Sequence, residues 1–491
     1  MTELSTIPGG TTRGRSDPDA PRSGRRSERI ALAEVVPVTL WAAVKGRNAW
    51  LLDLIRSRLW PVPVIGVVTA AATGFLLPYF ENRLPTPATE DLFGGGAAAA
   101  RGVLSTIAGS MITVTSLTFS LTLVTLQLTS GQFSPRLLRT FARDRFVQRT
   151  LALFVATFVY ALTVLRAVRS GRDGQADFIP QVSVSLAYLL ALVSAITLVV
   201  FLGHLVRQIR VETILETVQA ESINVADAMS SELDDAEVDG PAPTPPSDAV
   251  ALPAERTGFL LGVDEQVLVG ALARADGVVA MDRMPGEWLV AGTPVALAWP
   301  AAGGNFQAET LDCLRRALVE AVRIGEERTP VQDIAYGLRQ LTDVAIKALS
   351  PGINDPTTAV HVLGNSSALL CDFAERRLGP TVHRDHDGTA RVVILRPGFG
   401  ELLELAVAQP RRYGASDAQV QAGLLRLLRD LAWRTSSHEH KSEIVMQLRR
   451  SRRTVSSQDF DEVERDHLEC LAVAVDEALA GRWQTVPGRC G

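Results

Sequence analysis

Five threonines, Thr115, Thr118, Thr122, Thr125 and Thr129, recur at steps of three and four inside an apolar stretch. On an α-helix that spacing gathers all five hydroxyls on one face. Ser116, Ser120 and Gln127 widen the polar sector. Hydrocarbon offers hydroxyls no partner, so such a face must meet other helices or water. Two readings stand side by side. In one, the hydroxyls bond back to their own helix and small residues help helices pack. In the other, the face lines a polar path for an ion or small solute. The stripe runs through Gly131 and Pro135, which bend or end a helix, into Arg136, Arg139 and Arg143. Those arginines either form a cationic vestibule that draws in anions or act as a topology signal.

Other reactive side chains offer less. His383, Asp385, His386 and Asp387, and again His438, Glu439 and His440, have metal-capable groups. Neighbours that close chelate only from an extended or turn conformation, and both sets lie in polar sequence that reads as surface loop. Cys313, Cys371, Cys470 and Cys490 are widely spaced and read as reduced thiols, the first three packed on apolar helical patterns. His204 reads as an interfacial polar residue. No P-loop, nucleophile elbow, HExxH or dinucleotide fingerprint occurs. No nucleophile, base and orienter can be assembled, and no cofactor is expected.

Four apolar stretches, residues 61–80, 103–128, 150–168 and 179–206, approach or exceed the ~20 residues of helix that cross a bilayer. None contains an acidic residue, and the first lies behind a long polar arm, unlike a cleaved leader. Basic residues crowd the arm before the first span and the loop between spans two and three, whereas the loop between spans one and two holds only Arg83 and Arg101. Arg166, Arg169 and Arg172 pull the other way. The larger clusters place both termini in the cytoplasm. Gly66, Ala70 and Gly74 in span one, and Ser105 and Gly109 in span two, have the spacing that lets helices approach closely.

The 491 residues are 47% hydrophobic and 21% charged with a net charge of -5, and the mean hydropathy is +0.15. That combination describes apolar segments joined to an ordinary charged remainder. It excludes overall disorder, a disulfide scaffold and a nucleic-acid footprint spread along the chain. The expected fold is an integral membrane α-helical protein with four transmembrane helices, a small cytosolic β module and a mainly helical C-terminal domain. Its expected divisions are a disordered basic arm and pre-membrane helix (1–59), the transmembrane domain (60–206), a helical extension and acidic proline-rich linker (207–256), the β module (257–300) and the helical domain (301–491).

Within the last division, Thr329, Pro330 and Gln332 predict a helix start, and the helix runs to about Leu349. Gln332, Tyr336, Arg339, Asp343 and Lys347 share one face, on which Arg339, Asp343 and Lys347, spaced four apart, read as a solvated, ion-paired stripe. Ile334, Leu338, Leu341, Ala345 and Leu349 form the core face. The turn at residues 350–356 is rich in geometry-fixing residues, and Asp355 with Pro356 opens a second helix. That turn either presents Asn354 and the next helix's N-terminus to a ligand or another domain, or makes a tight corner between helices.

Two runs carry a resemblance. DIAYGLRQLTDVAIKALSPGINDPTTA at 333–359 and SLTLVTLQLTSGQFSPRLLR at 120–139 resemble the bacterial family of predicted membrane proteins known as domain of unknown function 2254. The likeness extends over nearly the whole chain apart from the arm and linker. It implies an integral membrane protein of bacterial type and supplies no activity, substrate or catalytic residue. The expected function is channel- or transporter-like, with span two lining a polar path and the cytosolic domains regulating it. The alternative is a membrane-anchored sensor or scaffold whose cytosolic domain binds a ligand or protein. The expected partners are the lipid bilayer and further copies of the chain, not nucleic acid.

Overall fold

The computed structural model describes residues 60–83, 94–132, 144–170, 178–208, 210–234 and 242–485. The arm and pre-membrane helix lie outside the described residues. Among the described residues four helices are long and apolar enough to cross a membrane: α1 (Pro61–Arg83), α2 (Ala97–Gln132), α3 (Arg145–Ala167) and α4 (Gln181–Gln208). Each contains the corresponding apolar stretch almost entirely. The other three spans pack on α3. Gly66 faces Ala152 and Gly74 faces Thr163 and Tyr160, so the small-residue spacing of span one brings α1 and α3 together, as absent side chains allow. Gly109, by contrast, faces open space.

Polar side chains hold the span ends. Near the end of α1, Glu81 accepts the Val182 N–H at 3.0 Å and the Ser183 N–H at 2.9 Å. A carboxylate thereby meets the positive end of α4. Asp144 caps α3, accepting from the Phe146 N–H at 2.7 Å.

Beyond the membrane, α5 (Val211–Asp234) follows α4 and leads to two sheets. Their strands are β1 (Val250–Pro253), β2 (Gly258–Val263), β3 (Gly277–Met281), β4 (Trp288–Leu289), β5 (Pro294–Pro300), β6 (Val322–Gly325), β7 (Thr381–Arg384) and β8 (Ala390–Ile394). One sheet has the order β1-β5-β3-β8-β7 and the other β4-β2-β6. Only β3 with β8 is parallel. Strands from outside residues 257–300 complete both sheets, because a short hairpin cannot bury a face by itself. Two helices, α6 (Glu265–Ala275) and α7 (Ala308–Ala321), cover the sheet core. The α6 stretch reads as short-period because Val267, Leu268 and Val269 are consecutive apolar residues; its Asp264 cap, accepting from Val267 N–H, decides for helix.

The remaining helices are α8 (Ala335–Ala348), α9 (Pro356–Ala374), α10 (Phe399–Tyr413), α11 (Ala418–Arg434), α12 (His438–Ser456) and α13 (Glu462–Leu479). They share one core with α5. Its members include Ile334, Leu338, Leu341, Ala345 and Leu349, the core face read from sequence. α8 starts at Ala335 rather than at Pro330, where the Thr329 cap pointed, because the residues before it are tied elsewhere. Gln332 brackets the Val263 backbone, donating to its carbonyl at 3.1 Å and accepting its N–H at 2.8 Å. At Gly337 α5 crosses α8 so closely that any β-carbon would overlap Ser222.

Candidate functional site

α2 carries polar groups on two opposite faces. Thr118, Thr122 and Thr125 are buried and Thr115 is half-buried; Thr129 lies in α2, but its side chain is outside the described set. Leu104, Met111, Thr118 and Thr125, each seven residues apart, form one seam, whose first members pack with Tyr160, Ala161 and Val164 of α3. The hydroxyls of Thr115, Thr122 and Thr125 donate to the carbonyls of Met111, Thr118 and Leu121 at 2.7, 2.8 and 2.9 Å. Between α3 and α4, Thr157 Oγ1 lies 3.2 Å from Ser194 Oγ. Within one chain the threonine stripe therefore packs helices.

The other face points out of the bundle. Gly102, Thr106, Gly109, Thr113, Ser116, Ser120 and Gln127 are all exposed. They form two interleaved seven-residue series, 102-109-116 and 106-113-120-127. Thr106 and Thr113 donate to the carbonyls of Gly102 and Gly109 at 2.8 and 3.1 Å. Among the described residues no hydrogen bond reaches the Ser116 or Ser120 hydroxyl or the Gln127 amide. The sequence reading took Ser116, Ser120 and Gln127 as a widening of the threonine stripe. At about 100° per residue they fall on the far side of the helix, and the seven-residue recurrence of small residues is the signal that identifies this face.

At the end of the spans near residue 144, His204 Nε2 lies 2.7 Å from Asp144 Oδ2, and Gln208 donates to the same oxygen. The Phe146 ring sits 4.7 Å from the His204 ring. His204 is thus a clasp between α4 and the cap of α3 rather than an isolated interfacial residue. Arg136, Arg139 and Arg143 lie outside the described residues.

The signature run around α8 is less solvated than its charges suggest. Tyr336 is buried, Arg339 and Asp343 are half-buried, and Lys347 is exposed. Arg328 lies 5.9 Å from the Tyr336 ring centroid and pairs with Asp333. Burial pushes the Asp333 carboxyl upward against that pairing. Tyr336, on the same face as that charged stripe, packs inward beside the Arg328–Asp333 pair. Residues 350–355 form a tight corner: the N–H groups of Ile353 and Asn354 reach Ser350 O at 3.0 and 2.9 Å, and Asp355 N–H reaches Ala348 O at 2.8 Å. Asn354 adopts φ 49°. Asp355 caps α9, and the Thr358 hydroxyl and N–H, at 2.6 and 3.0 Å, hold its carboxyl below the usual carboxylate range.

The first histidine cluster is in part a surface loop, with Asp385, His386 and Asp387 in the turn between β7 and β8 and the latter two exposed; the second is not in a loop. His383 is on β7, and Asp385 is paired with Arg391 at 2.6 Å. His438 and His440 open α12, where His440 stacks on Phe399 at 4.2 Å. Among the described residues no group of three or more histidine, cysteine, aspartate or glutamate side chains is placed to hold a metal ion. Cys313 is exposed on α7 and Cys371 half-buried, both free thiols. Cys470 is disulfide-bonded. The expected packing of Cys313 and the reduced state of Cys470 are corrected accordingly.

Residues 56–430 match the family described as "Predicted membrane protein (DUF2254)". The chain is also 36% identical, over 435 residues, to an uncharacterized protein of Mycobacterium bovis and to one of Mycobacterium tuberculosis strain H37Rv. In each comparison 87% of this chain and 82% of the relative is covered. No solved structure matches. With four membrane-length helices and a family match over most of its length, the chain belongs to the DUF2254 family of predicted membrane proteins.

Proposed function

We propose that this protein is a channel- or transporter-like conduit of a bacterial inner membrane, assembled from several copies, with α2 at the path and the extramembrane domains regulating it. The observation that carries the reading is the outward face of α2. A lipid-facing helix has no use for a continuous series of glycine, threonine, serine and glutamine, since hydrocarbon satisfies none of their polar groups. Facing copies of α2 would enclose that series and give Ser116, Ser120 and Gln127 each other or water as partners. The buried threonine face holds the same helix against α3. Both termini lie in the cytoplasm on this reading, supported by the basic residues of the arm and of residues 136–149. Arg136, Arg139 and Arg143 then stand at the inner mouth, where they favour anions.

Purified full-length protein in liposomes, under separate cation and anion gradients, tests this. Ser116→Leu with Ser120→Leu abolishes flux, while Thr118→Val with Thr122→Val leaves most of it. Flux that ignores the serine pair removes the outward face from the mechanism. No flux under any gradient or membrane tension leaves the alternative, an anchored sensor or scaffold. That alternative has its own support in α5, which runs from the last span into the core of the helical domain.

A further inference from the structure

One end of the helical domain is tethered to the bilayer by geometry alone. α5 starts at Val211, three residues after the last residue of α4. Its N-terminus therefore lies within about 10 Å of the end of a membrane span. α9 runs parallel to α5, because His361 meets Glu212 at 4.0 Å and Arg376, just past the end of α9, meets Asp227 at 2.7 Å, fifteen residues further along both segments. The α8–α9 corner, residues 350–355, precedes His361 and so projects past the start of α5, the end joined to the last span.

α11 lies alongside α9 in the same sense. A β-carbon at Gly423 would meet Leu363 and Val360, and Ser367 donates to Asp430 at 3.2 Å. The turn between α10 and α11, residues 414–417, therefore reaches the same end. α12 runs parallel to α10, with Glu443 beside Gly400 and Gln447 donating to Glu404 at 2.6 Å. The last turns of α12 point the same way as the end of α10.

What this end exposes is distinctive. Lys347, Arg412, Arg449 and Arg453 are exposed cations, with Ile353 41% and Tyr413 55% exposed beside them. Arg207 and Arg210, at the junction of α4 and α5, are exposed too. Ile353 is not there through slack: the Ser350 carbonyl bonds and the left-handed Asn354 fix the corner that holds it outward. Asp355 and Asp417 at this end cap their own helices, accepting from Thr358 and Val420 N–H. The acids of this end include Glu212, which faces His361, Asp461, which caps α13 by accepting from Glu464 N–H, and the exposed Asp459 and Glu462 at the turn from α12 into α13. Cations with a tyrosine and an aliphatic tip suit the boundary between headgroups and acyl chains.

We infer that the α8–α9 and α10–α11 turns form a docking face that rests on the anionic phospholipid headgroups of the bilayer carrying the spans. Lys347, Arg412 and the α12 arginines meet the phosphates, and Ile353 and Tyr413 enter the interfacial layer. The occupant follows from the continuity of this face with the membrane boundary at α4 and from the exposed Lys347, Ile353, Arg412 and Tyr413 at its two turns. The face needs no assembly and stands apart from the conduit reading.

Hydrogen exchange of the full-length protein in nanodiscs tests it, with phosphatidylcholine alone compared with phosphatidylcholine containing phosphatidylglycerol. Peptides over residues 349–356 and 411–418 should exchange at least about fivefold more slowly in the anionic lipid, the effect expected from one surface cation near anionic headgroups. Peptides over β7 and β8 should be unaffected. Lys347→Glu with Arg412→Glu should cancel the difference while β7 and β8 keep their protection. The wild-type comparison needs no variant, so a folding defect cannot mask the result. Equal exchange in both lipids overturns the inference: if fast, the turns face water; if slow, protein covers them.

Discussion

Two helices of this chain bury opposite kinds of surface. α11 hides Val420, Leu424, Leu425, Leu427, Leu428 and Leu431 and leaves Arg426 and Arg434 toward solvent. α2 hides Thr118, Thr122 and Thr125 along with Leu104 and Met111, and turns Ile112, Leu117, Phe119 and Leu123 outward. The solvent explains the inversion. Water rejects apolar surface, so α11 is ordered by transfer of leucine out of water. Lipid tails are as apolar as leucine, so α2 is ordered by close packing against α3. Burial therefore carries different information in the two regions: in α11 it marks what leaves water and stabilises the domain, and in α2 it marks what packs closely on a neighbouring helix.

The largest expected effect comes from striking the water-ordered side. Leu428→Ala should lower the unfolding free energy of the extramembrane region by about 2–5 kcal/mol, the range for a leucine truncated in a closed core. Leu117→Ala on α2, at a side chain 52% exposed in the bundle, should cost far less, because lipid fills the space. Thermal or denaturant unfolding of the detergent-solubilised chain reads both. Comparable losses at the two positions would erase the contrast.

A somewhat smaller effect separates the regions by pH. Burial, with Arg396 adding to it, pushes the His383 imidazole down to about 4 from an ordinary value near 6.5. Between those values the unfolded chain binds a proton that the folded chain refuses. Stability is therefore whole above about pH 6.5 and lost as pH falls toward 4, by up to about 3 kcal/mol. His383→Gln should flatten that part of the stability–pH curve. A curve of the same slope with and without His383 would show that other groups carry the acid sensitivity.

Much of this architecture was legible because hydropathy speaks directly in long apolar runs: all four spans appear where residues 61–206 placed them. The Asp355–Pro356 helix start also follows from local chemistry, since a cap and its N1 proline act within one turn. What failed was decided at long range. Thr329, Pro330 and Gln332 have the residues of a helix start, but Gln332 is taken by Val263, 69 positions away. The pattern of residues 390–395 reads as a hairpin or strand, and β8 forms there, but nothing local announces that β7 and β8 join a sheet begun at residue 250. On α2 the threonines were visible and their direction was not. A helix with polar groups all round gives no clue to which side its neighbour takes; the packing of Leu104 and Met111 with α3 decides it.

The smallest effect is the most discriminating for α2. Thr122→Val keeps shape and volume and deletes a hydroxyl whose hydrogen bond goes to its own helix, at Thr118 O. The carbonyl retains its place in the helix ladder, so the loss should be under about 1 kcal/mol, in line with the ~0.6 found on average for polar contacts between membrane helices. Gln421→Leu on α11 is the matching change in the other region. There the buried amide donates to Gly414 O at 2.8 Å, and removing it leaves a buried carbonyl without that donor, at about 1–3 kcal/mol. Should Thr122→Val prove as costly as Gln421→Leu, the hydroxyl must serve something beyond its own helix. The threonine face would then join the outward serines as a candidate lining of the path.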